Sequence, residues 1–247
     1  MCGRFTLTSN LDDLQGRFGF LSEFTDHEPR YNIAPTQPVL TVTNDGHRRG
    51  ESMRWGLVPF WAKDLKIGAR MINAVGATVS AKPAFRAAFK KRRCLVLANG
   101  FYEWRKEDKR KIPTYIYRRN REPMAFAGLW ETWRSPEGQV VQSCTIITTA
   151  ANPFIQPIHD RMPVILSEET QALWLDPLTE DPKNLNPLLI PAPIELLTSH
   201  PVADTVNSVK NQGPECILPL PERPDEPPEG SLEGSPEDSP GDGRLFK

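Results

Sequence analysis

The chain has few residues that bind metals or form disulfides, and it has no long apolar segment. Its 247 residues include four cysteines and four histidines, all scattered, without a CxxC pair or a Cys/His cluster. This spacing favours neither a metal site nor a disulfide framework. No apolar run approaches the length of a membrane span, and charged residues interrupt the start. We therefore expect no metal, no signal peptide and no membrane contact, with the cytoplasm as the default location.

Several common catalytic motifs are also missing. The sequence contains no glycine-rich phosphate loop, no GxSxG, no HExxH and no Rossmann fingerprint. Nucleotide-binding, serine-hydrolase and zinc-peptidase functions therefore lack support, and we expect no cofactor. Three of the cysteines, Cys94, Cys144 and Cys216, lie among apolar residues and are predicted to be buried thiols.

The net charge of -1 hides an asymmetry between two parts of the chain. Residues 219–247 contain eight acidic residues, three basic residues and seven prolines. Removing them from the totals of 31 acidic and 30 basic residues leaves 23 and 27 in residues 1–218. The acidic Pro/Gly/Ser-rich segment 219–247 is predicted to be a disordered tail. Residues 2–218 form the predicted domain, whose mildly basic charge permits nucleic-acid binding without requiring it.

The pattern of apolar residues predicts an α+β fold with a mostly antiparallel, curved or barrel-like sheet and short flanking helices. Helices are expected from about Ser9, over 81–93, near Ala150–Gln156 and over Ser167–Leu175. The predicted strands are Val39–Thr43, a strand from Met53 that runs into a loop ending at Trp61, Cys94–Ala98, Phe101–Arg105, Thr114–Arg118, Met124–Glu131, Val140–Thr148 and Met162–Leu166.

Cys2 is the residue with the most distinctive potential chemistry. If Met1 is removed, Cys2 carries an amine and a thiol on neighbouring carbons. An aldehyde can condense with the amine to an imine, and the thiol can then close a five-membered thiazolidine ring. Both groups titrate near pH 8, so each is partly available at neutral pH. A cysteine that merely follows the initiator is the alternative, and position alone favours it.

Three further polar residues lie in short structured motifs. Glu103 is flanked by aromatic residues, which can raise the pKa of a carboxyl group and suit it to general acid catalysis. His159 lies between two prolines on a loop that could aim its ring. Asn73 interrupts an apolar run, so its amide needs partners if it is buried. The alternatives are an exposed Glu103 on a half-buried strand, a structural His159 bonded to a carbonyl group, and an Asn73 that forms a turn.

Contacts with nucleic acid are predicted at three positions. Arg4, beside Cys2, and Arg161, beside His159, are natural phosphate ligands. Trp61 is one of six tryptophans that could stack on bases, although most tryptophans in such sequences are core residues.

Taken in order, six motifs closely resemble the SRAP family of abasic-site processing proteins. They are Cys2-Gly3-Arg4-Phe5, Tyr31-Asn32-Ile33-Ala34-Pro35, Arg54-Trp55-Gly56-Leu57-Val58-Pro59, Ile72-Asn73-Ala74, Gly100-Phe101-Tyr102-Glu103-Trp104 and His159-Asp160-Arg161-Met162-Pro163. The resemblance covers residues 2–218, which would then be an SRAP catalytic domain.

The resemblance implies a function that fits the chemistry of Cys2. The open form of an abasic sugar bears an aldehyde, and the family traps it in single-stranded DNA as a thiazolidine crosslink. By position, Asn73 would orient the terminus, Glu103 would assist ring opening and proton transfer, and His159 would hold and protonate the sugar oxygen and help the crosslink reverse. An imine alone would also allow strand cleavage by β-elimination, a lyase side reaction. A monomer located at the nucleoid is the default expectation.

The chain departs from the family at one place. The family usually reads Asn-Ala-Arg-Ala-Glu-Thr where this sequence reads Asn73-Ala74-Val75-Gly76-Ala77-Thr78. The missing arginine is a phosphate contact in this interpretation, so its loss should weaken DNA binding and leave the covalent chemistry in place. Gly76 is expected to loosen the turn that positions Asn73.

Two other functions compete with this hypothesis. Cys2 could be the nucleophile of a peptidase, with Glu103 and His159 as acid and base, that cleaves other proteins or its own initiator methionine. The chain could also be a noncatalytic module for single-stranded DNA, in which case Cys2→Ala would leave its function intact.

Overall fold

The computed structural model describes residues 2–221. All but the first three residues of the predicted tail 219–247 therefore lie outside the described residues.

The described chain is an α+β protein with mostly antiparallel strands, as the sequence predicted. Its strands are β1 (Phe5–Leu7), β2 (Leu21–Ser22), β3 (Arg30–Ile33), β4 (Pro38–Asn44), β5 (Arg48–Trp55), β6 (Asn73–Val75), β7 (Arg93–Ala98), β8 (Gly100–Glu107), β9 (Arg110–Arg118), β10 (Met124–Arg134), β11 (Val140–Ala150), β12 (Arg161–Pro163), β13 (Ile165–Leu166) and β14 (Leu197–Pro201).

Five of the strands close into a barrel. β11, β10, β7, β4 and β5 pair in that order through antiparallel ladders. A short parallel pairing of β5 with β11, at Arg54–Ser143 and Trp55–Cys144, completes the ring. Every strand of this barrel therefore has a strand partner on both sides, which confirms the predicted barrel-like core.

A second sheet packs against the barrel and remains open. Its order is β14-β9-β8-β1-β3, so the N-terminal strand β1 lies in its interior between β3 and β8. Three aromatic rings join the two sheets. Phe126 of the barrel meets Phe5 and Phe101 of the open sheet edge to face, with ring centroids 6.1 and 6.0 Å apart. The two sheets therefore share one apolar core.

The helices are short and lie outside the sheets. They are α1 (Leu11–Phe18), α2 (Gly76–Val79), α3 (Arg86–Lys91), α4 (Glu168–Leu175) and α5 (Pro182–Leu185). The carboxamide of Asn10, not the hydroxyl of Ser9, caps α1 by accepting from the Asp13 amide at 2.8 Å. Ser167 caps α4 as its sequence context predicts, and Leu11, Leu14 and Phe18 bury one face of α1. No helix in the described part of the chain is both long and apolar enough to span a membrane.

Two helix predictions need correction. The helix predicted over 81–93 is only Arg86–Lys91, although Phe85 and Phe89 are buried as their spacing implied. The helix predicted near Ala150–Gln156 is absent from the described chain, where β11 runs on to Ala150 and turns follow. The Asn152 side chain accepts from the Ile155 amide at 2.9 Å, a local bond that favours a turn.

Candidate active site

The position of β1 buries Cys2 at the junction of the two sheets. Cys2 has no exposed surface, and its Sγ lies 3.8 Å from the Arg4 carbonyl oxygen. Burial raises the pKa of the Cys2 thiol well above its usual value, and the neighbouring Glu103 carboxylate raises it further. The thiol is therefore held in its neutral form at physiological pH.

Asn73 reaches Cys2 from the barrel side. β6 is a three-residue strand that pairs in parallel with β11, and this pairing places Asn73 opposite Ile146. The Asn73 Nδ2 donates to the Cys2 carbonyl oxygen at 2.8 Å. Its Oδ1 is buried and has no hydrogen-bond partner within residues 2–221. The turn alternative is therefore wrong for Asn73, which offers a buried acceptor beside Cys2.

Glu103 lies on β8, the neighbour of β1, and is buried with only 3% of its surface exposed. The alternative of an exposed Glu103 is therefore wrong. Burial raises the pKa of the Glu103 carboxyl group, and the positive charge of His159 opposes this shift. A buried carboxyl group in this position can hold a proton near neutral pH more readily than an exposed one.

The loop after β11 holds the ring of His159. The Arg161 amide donates to Nδ1 at 3.0 Å, and the Asp160 Oδ1 lies 2.7 Å from the same nitrogen. The two contacts require opposite states of Nδ1, because a nitrogen that accepts from an amide cannot also donate to a carboxylate. The Arg161 contact therefore favours a ring without a proton on Nδ1, and the Asp160 contact favours a ring with a proton on Nδ1.

Glu103 and His159 line one surface pocket of about 370 Å³, together with Trp104, Lys106 and Lys111. This volume lies in the range of small-ligand sites. Clefts of about 650 and 920 Å³ are lined by none of the four predicted catalytic residues, although the larger one shares Lys111 with this pocket. In residues 2–221 no group of three or more His, Cys, Asp or Glu side chains is placed to hold a metal ion.

Arg4 and Asn32 connect the chain beside Cys2 to residues 206–211, near the C-terminal end of the described chain. Arg4 Nη1 donates to the Asn32 Oδ1 at 2.6 Å and to the Val206 carbonyl oxygen at 2.7 Å. Asn32 is fully buried, and its Nδ2 donates to the carbonyl oxygens of Val206, Ser208 and Asn211. Arg4, predicted as a phosphate contact, is thus also part of an internal network that fixes the chain two residues from Cys2.

The other two predicted DNA contacts lie outside this network. Arg161 donates through Nε and Nη2 to Oγ1 of Thr148 on β11, at 3.1 and 2.7 Å. Trp61 lies in the loop after β5 and is 50% exposed, beside Phe60, which is 64% exposed. Within the described chain Trp61 forms no hydrogen bond or ring stack with another predicted site residue. The two rings are nevertheless accessible for stacking.

The divergent segment next to Asn73 forms the end of β6 and the start of α2. Val75 is partly exposed and lies two residues from Asn73, so their side chains share one face of the strand. Ala77 is exposed. Gly76 is buried, and a Cβ there would lie 3.2 Å from the Thr148 carbonyl oxygen. Gly76 therefore begins α2 in close contact with β11, and the looser turn that we expected stays a prediction.

Sequence reasoning missed three residues of the site. Asn32 lies in one of the six motifs, but no local signal predicts its bonds to residues 174 to 179 positions away. No pattern in the sequence singles out Lys106 and Lys111. Lys106 lies on the same face of β8 as Trp104, whereas Glu103 lies on the opposite face, so alternation alone does not place Lys106 with Glu103.

Fold and site together define a small α+β domain with a candidate cysteine nucleophile at its N-terminal end, beside the carboxamide of Asn73 and the buried carboxyl group of Glu103. The profile of the family described as SOS response associated peptidase (SRAP) matches residues 1–209. The chain belongs to the SRAP family.

Named relatives and a solved structure agree with this assignment. The chain is 48% identical over 222 residues to the abasic site processing protein YoqW of Bacillus subtilis, which covers 88% of this chain and 99% of the relative. It is 32% identical over 265 residues to the abasic site processing protein HMCES of Xenopus tropicalis, covering 89% and 78% of the two chains. A crystal structure of a protein from Bacteroides thetaiotaomicron superposes with a TM-score of 0.81 at 26% identity, over 89% of this chain and all of that one.

Proposed function

We propose that this protein senses abasic sites in single-stranded DNA and shields them through a thiazolidine crosslink to Cys2. The observation that carries the proposal is the arrangement around Cys2. Its carbonyl oxygen accepts from Asn73, its thiol is electrostatically coupled to Glu103, and Glu103 is coupled to His159. The printed names of the two relatives support the same class of substrate.

The first step forms an imine. Removal of Met1 leaves an α-amine on Cys2, and this amine attacks the C1′ aldehyde of the ring-opened abasic sugar. The carbinolamine then loses one water molecule to form a C=N bond. In this proposal the Oδ1 of Asn73, which is buried without a partner among residues 2–221, accepts from an amine N–H and orients the nitrogen lone pair.

The second step closes the ring. The Cys2 sulfur bonds to the imine carbon, the thiol proton leaves, and the nitrogen gains a proton to become the N–H of the thiazolidine. Because burial keeps the thiol neutral, an acceptor for its proton is needed, and the adjacent Glu103 carboxylate can serve. No oxidant, metal or cofactor enters the balance.

Glu103 and His159 also face the sugar in this proposal, because both line the pocket. Glu103 assists opening of the sugar ring, and a protonated His159 stabilises the released oxygen and donates to it when the crosslink reverses. The imine can also eliminate the 3′ phosphate after loss of a C2′ proton. A weak lyase activity is therefore part of the proposal.

The test is a reaction of the Met1-processed protein with single-stranded DNA that carries one abasic site. We expect a heat-stable adduct on a denaturing gel, with an intact mass equal to protein plus DNA minus one water. Cys2→Ala should abolish the thiazolidine, because no sulfur is available to close the ring. Cys144→Ala, which truncates another buried thiol, is the matched control and should crosslink normally. A heat-stable adduct that Cys2→Ala forms without a reducing agent would contradict the proposal, whereas a labile imine would not, because this variant keeps the α-amine.

Peptidase activity is the alternative, favoured by the description of the family. Because the pKa of the Cys2 thiol is raised by burial, a peptidase would, like the ring closure, need a neighbouring base to take the thiol proton. Incubation with a peptide mixture distinguishes the two functions, since Cys2-dependent cleavage without adduct formation would favour the peptidase. We further propose that the protein acts as a monomer at cytoplasmic DNA, in the nucleoid.

A further inference from the structure

Two lysines oppose each other on the hairpin that carries Glu103. In the β8–β9 ladder Lys106 pairs directly with Lys111, and both are exposed. Like charges at directly opposed positions of an antiparallel pair destabilise the sheet. Neither lysine forms an ion pair with a carboxylate in residues 2–221, although Glu107 on the same hairpin pairs with Arg105 at 3.6 Å. The hairpin thus carries two neighbouring positive charges, on Lys106 and Lys111, that have no ion-pair partner among residues 2–221.

The two lysines lie on a continuous polar and aromatic stripe. Trp104 lies two residues before Lys106 and therefore on the same face of β8. The Arg4 guanidinium lies 5.9 Å from the centre of the Trp104 ring. We call Arg4, Trp104, Lys106 and Lys111 the hairpin stripe. It leads from the neighbourhood of Cys2 to the tip of the hairpin, with an aromatic ring between cationic groups.

The Trp104 ring has a fixed orientation. Its Nε1 donates to the Asn207 Oδ1 at 2.7 Å, and its neighbour across the hairpin is Pro113. The ring is only partly buried, so one part of it stays open to the pocket. A held, accessible indole flanked by cations is the arrangement with which proteins bind single-stranded nucleic acid, through base stacking and backbone charge.

We propose that Lys106 and Lys111 form a clamp for a phosphodiester of the DNA strand adjoining the lesion, with Trp104 stacked on the neighbouring base. The proposal rests on the proposed function and names a further binding subsite for that substrate. Both lysines line the pocket that contains Glu103 and His159, so a sugar held there brings its adjoining phosphate to the lysine pair. The repulsion between the two ammonium groups is relieved when the phosphate binds.

Binding of unmodified single-stranded DNA tests the clamp independently of the crosslinking chemistry. The affinity of the full chain for an oligothymidylate is measured by fluorescence anisotropy between 25 and 200 mM salt. Loss of two phosphate contacts in Lys106→Gln/Lys111→Gln should reduce the slope of log K against log[salt] by about 1.4 and the affinity at 0.1 M salt by about 20-fold. Lys106→Arg/Lys111→Arg should retain most of the affinity, because the charge is kept.

The matched control is Lys82→Gln/Lys90→Gln, which removes two exposed lysines near α3 and should change the slope much less. An unchanged slope in Lys106→Gln/Lys111→Gln, or an equal loss of slope in the control, would overturn the clamp proposal.

The same measurements also distinguish failure of the clamp proposal from failure of the crosslink proposal. If the wild-type protein forms no adduct, but the slope of log K against log[salt] is smaller in Lys106→Gln/Lys111→Gln, the crosslink proposal is wrong and the clamp proposal is supported. If the hairpin variant binds and crosslinks like wild type at subsaturating DNA, the clamp fails and the crosslink stands.

Discussion

The closed barrel and the open sheet differ in how their polar groups are satisfied. In the barrel, every strand is paired on both sides, and the two buried charged side chains have partners: the Arg93 Nε donates to the Trp174 carbonyl oxygen at 2.6 Å, and Glu131 pairs with Arg92 at 2.6 Å. In the open sheet, the ionisable residues Arg4 and Glu103 lie close to Cys2. Arg4 bonds to a residue 202 positions away, and Glu103 lies beside Cys2 with a raised pKa that burial causes.

The difference shows which region provides rigidity and which provides chemistry. A ring of strands that are paired on both sides and packed around an apolar core is a rigid scaffold. Ionisable groups with shifted pKa values are common at functional sites, and Glu103 of the open sheet, whose pKa is raised by burial, lies beside Cys2. Asn73 joins the two regions, because its strand β6 is paired to the barrel while its amide bonds to Cys2.

The largest expected effect on stability comes from removing the aromatic ring of Phe126, which packs against both sheets. Phe126→Ala should lower the free energy of unfolding by about 3–5 kcal/mol, since the fully buried ring contacts both sheets. Because the core is shared, both regions should melt in one transition in urea, followed by circular dichroism and by tryptophan fluorescence. Phe60→Ala, which truncates a ring 64% exposed, is the control and should change stability by less than about 0.5 kcal/mol. Two separate transitions would contradict the single shared core.

A smaller effect, confined to the open sheet, is expected for Asn32→Ala. The change deprives Arg4 of an acceptor and three carbonyl groups of a donor, which should cost about 1–3 kcal/mol. Hydrogen exchange should accelerate at the amides of residues 2–5 and 206–211 and stay slow in β10 and β11. Asn152→Ala, at a buried asparagine that bonds to the Ala192 carbonyl oxygen, should leave residues 2–5 protected. Equal acceleration throughout the barrel would refute the separation of the two regions.

The smallest expected effect concerns DNA affinity alone. Val75→Arg places a guanidinium on the face of β6 that Asn73 occupies, and one added phosphate contact should raise the affinity for single-stranded DNA about fivefold at 0.1 M salt. Anisotropy titrations with and without an abasic site measure it. Val140→Arg adds the same charge at an exposed position at the other end of β11 and serves as the control. An unchanged affinity in Val75→Arg would show that the missing arginine is not a binding determinant in this chain.

The sequence predicted the barrel strands well because their alternation and β-branched content are local signals. The predicted strand Cys94–Ala98 is Arg93–Ala98, and Met124–Glu131 is part of Met124–Arg134. The closure of β5 on β11 could not be predicted, since parallel pairing of only two residue pairs leaves no periodic signature. The contact between Asn73 and Cys2 likewise has no local signal. Only the resemblance to a family suggested it, and the structure gave the bond.

The burial of β1 constrains the order of events when the protein is made. The network that fixes Arg4 requires Val206, which is synthesised about 10–40 s after Arg4 at ordinary elongation rates. During that interval the first residues have no completed pocket to enter. In the proposed function, removal of Met1 can therefore come before closure of the site around Cys2, and the topology of the chain separates the two events in time.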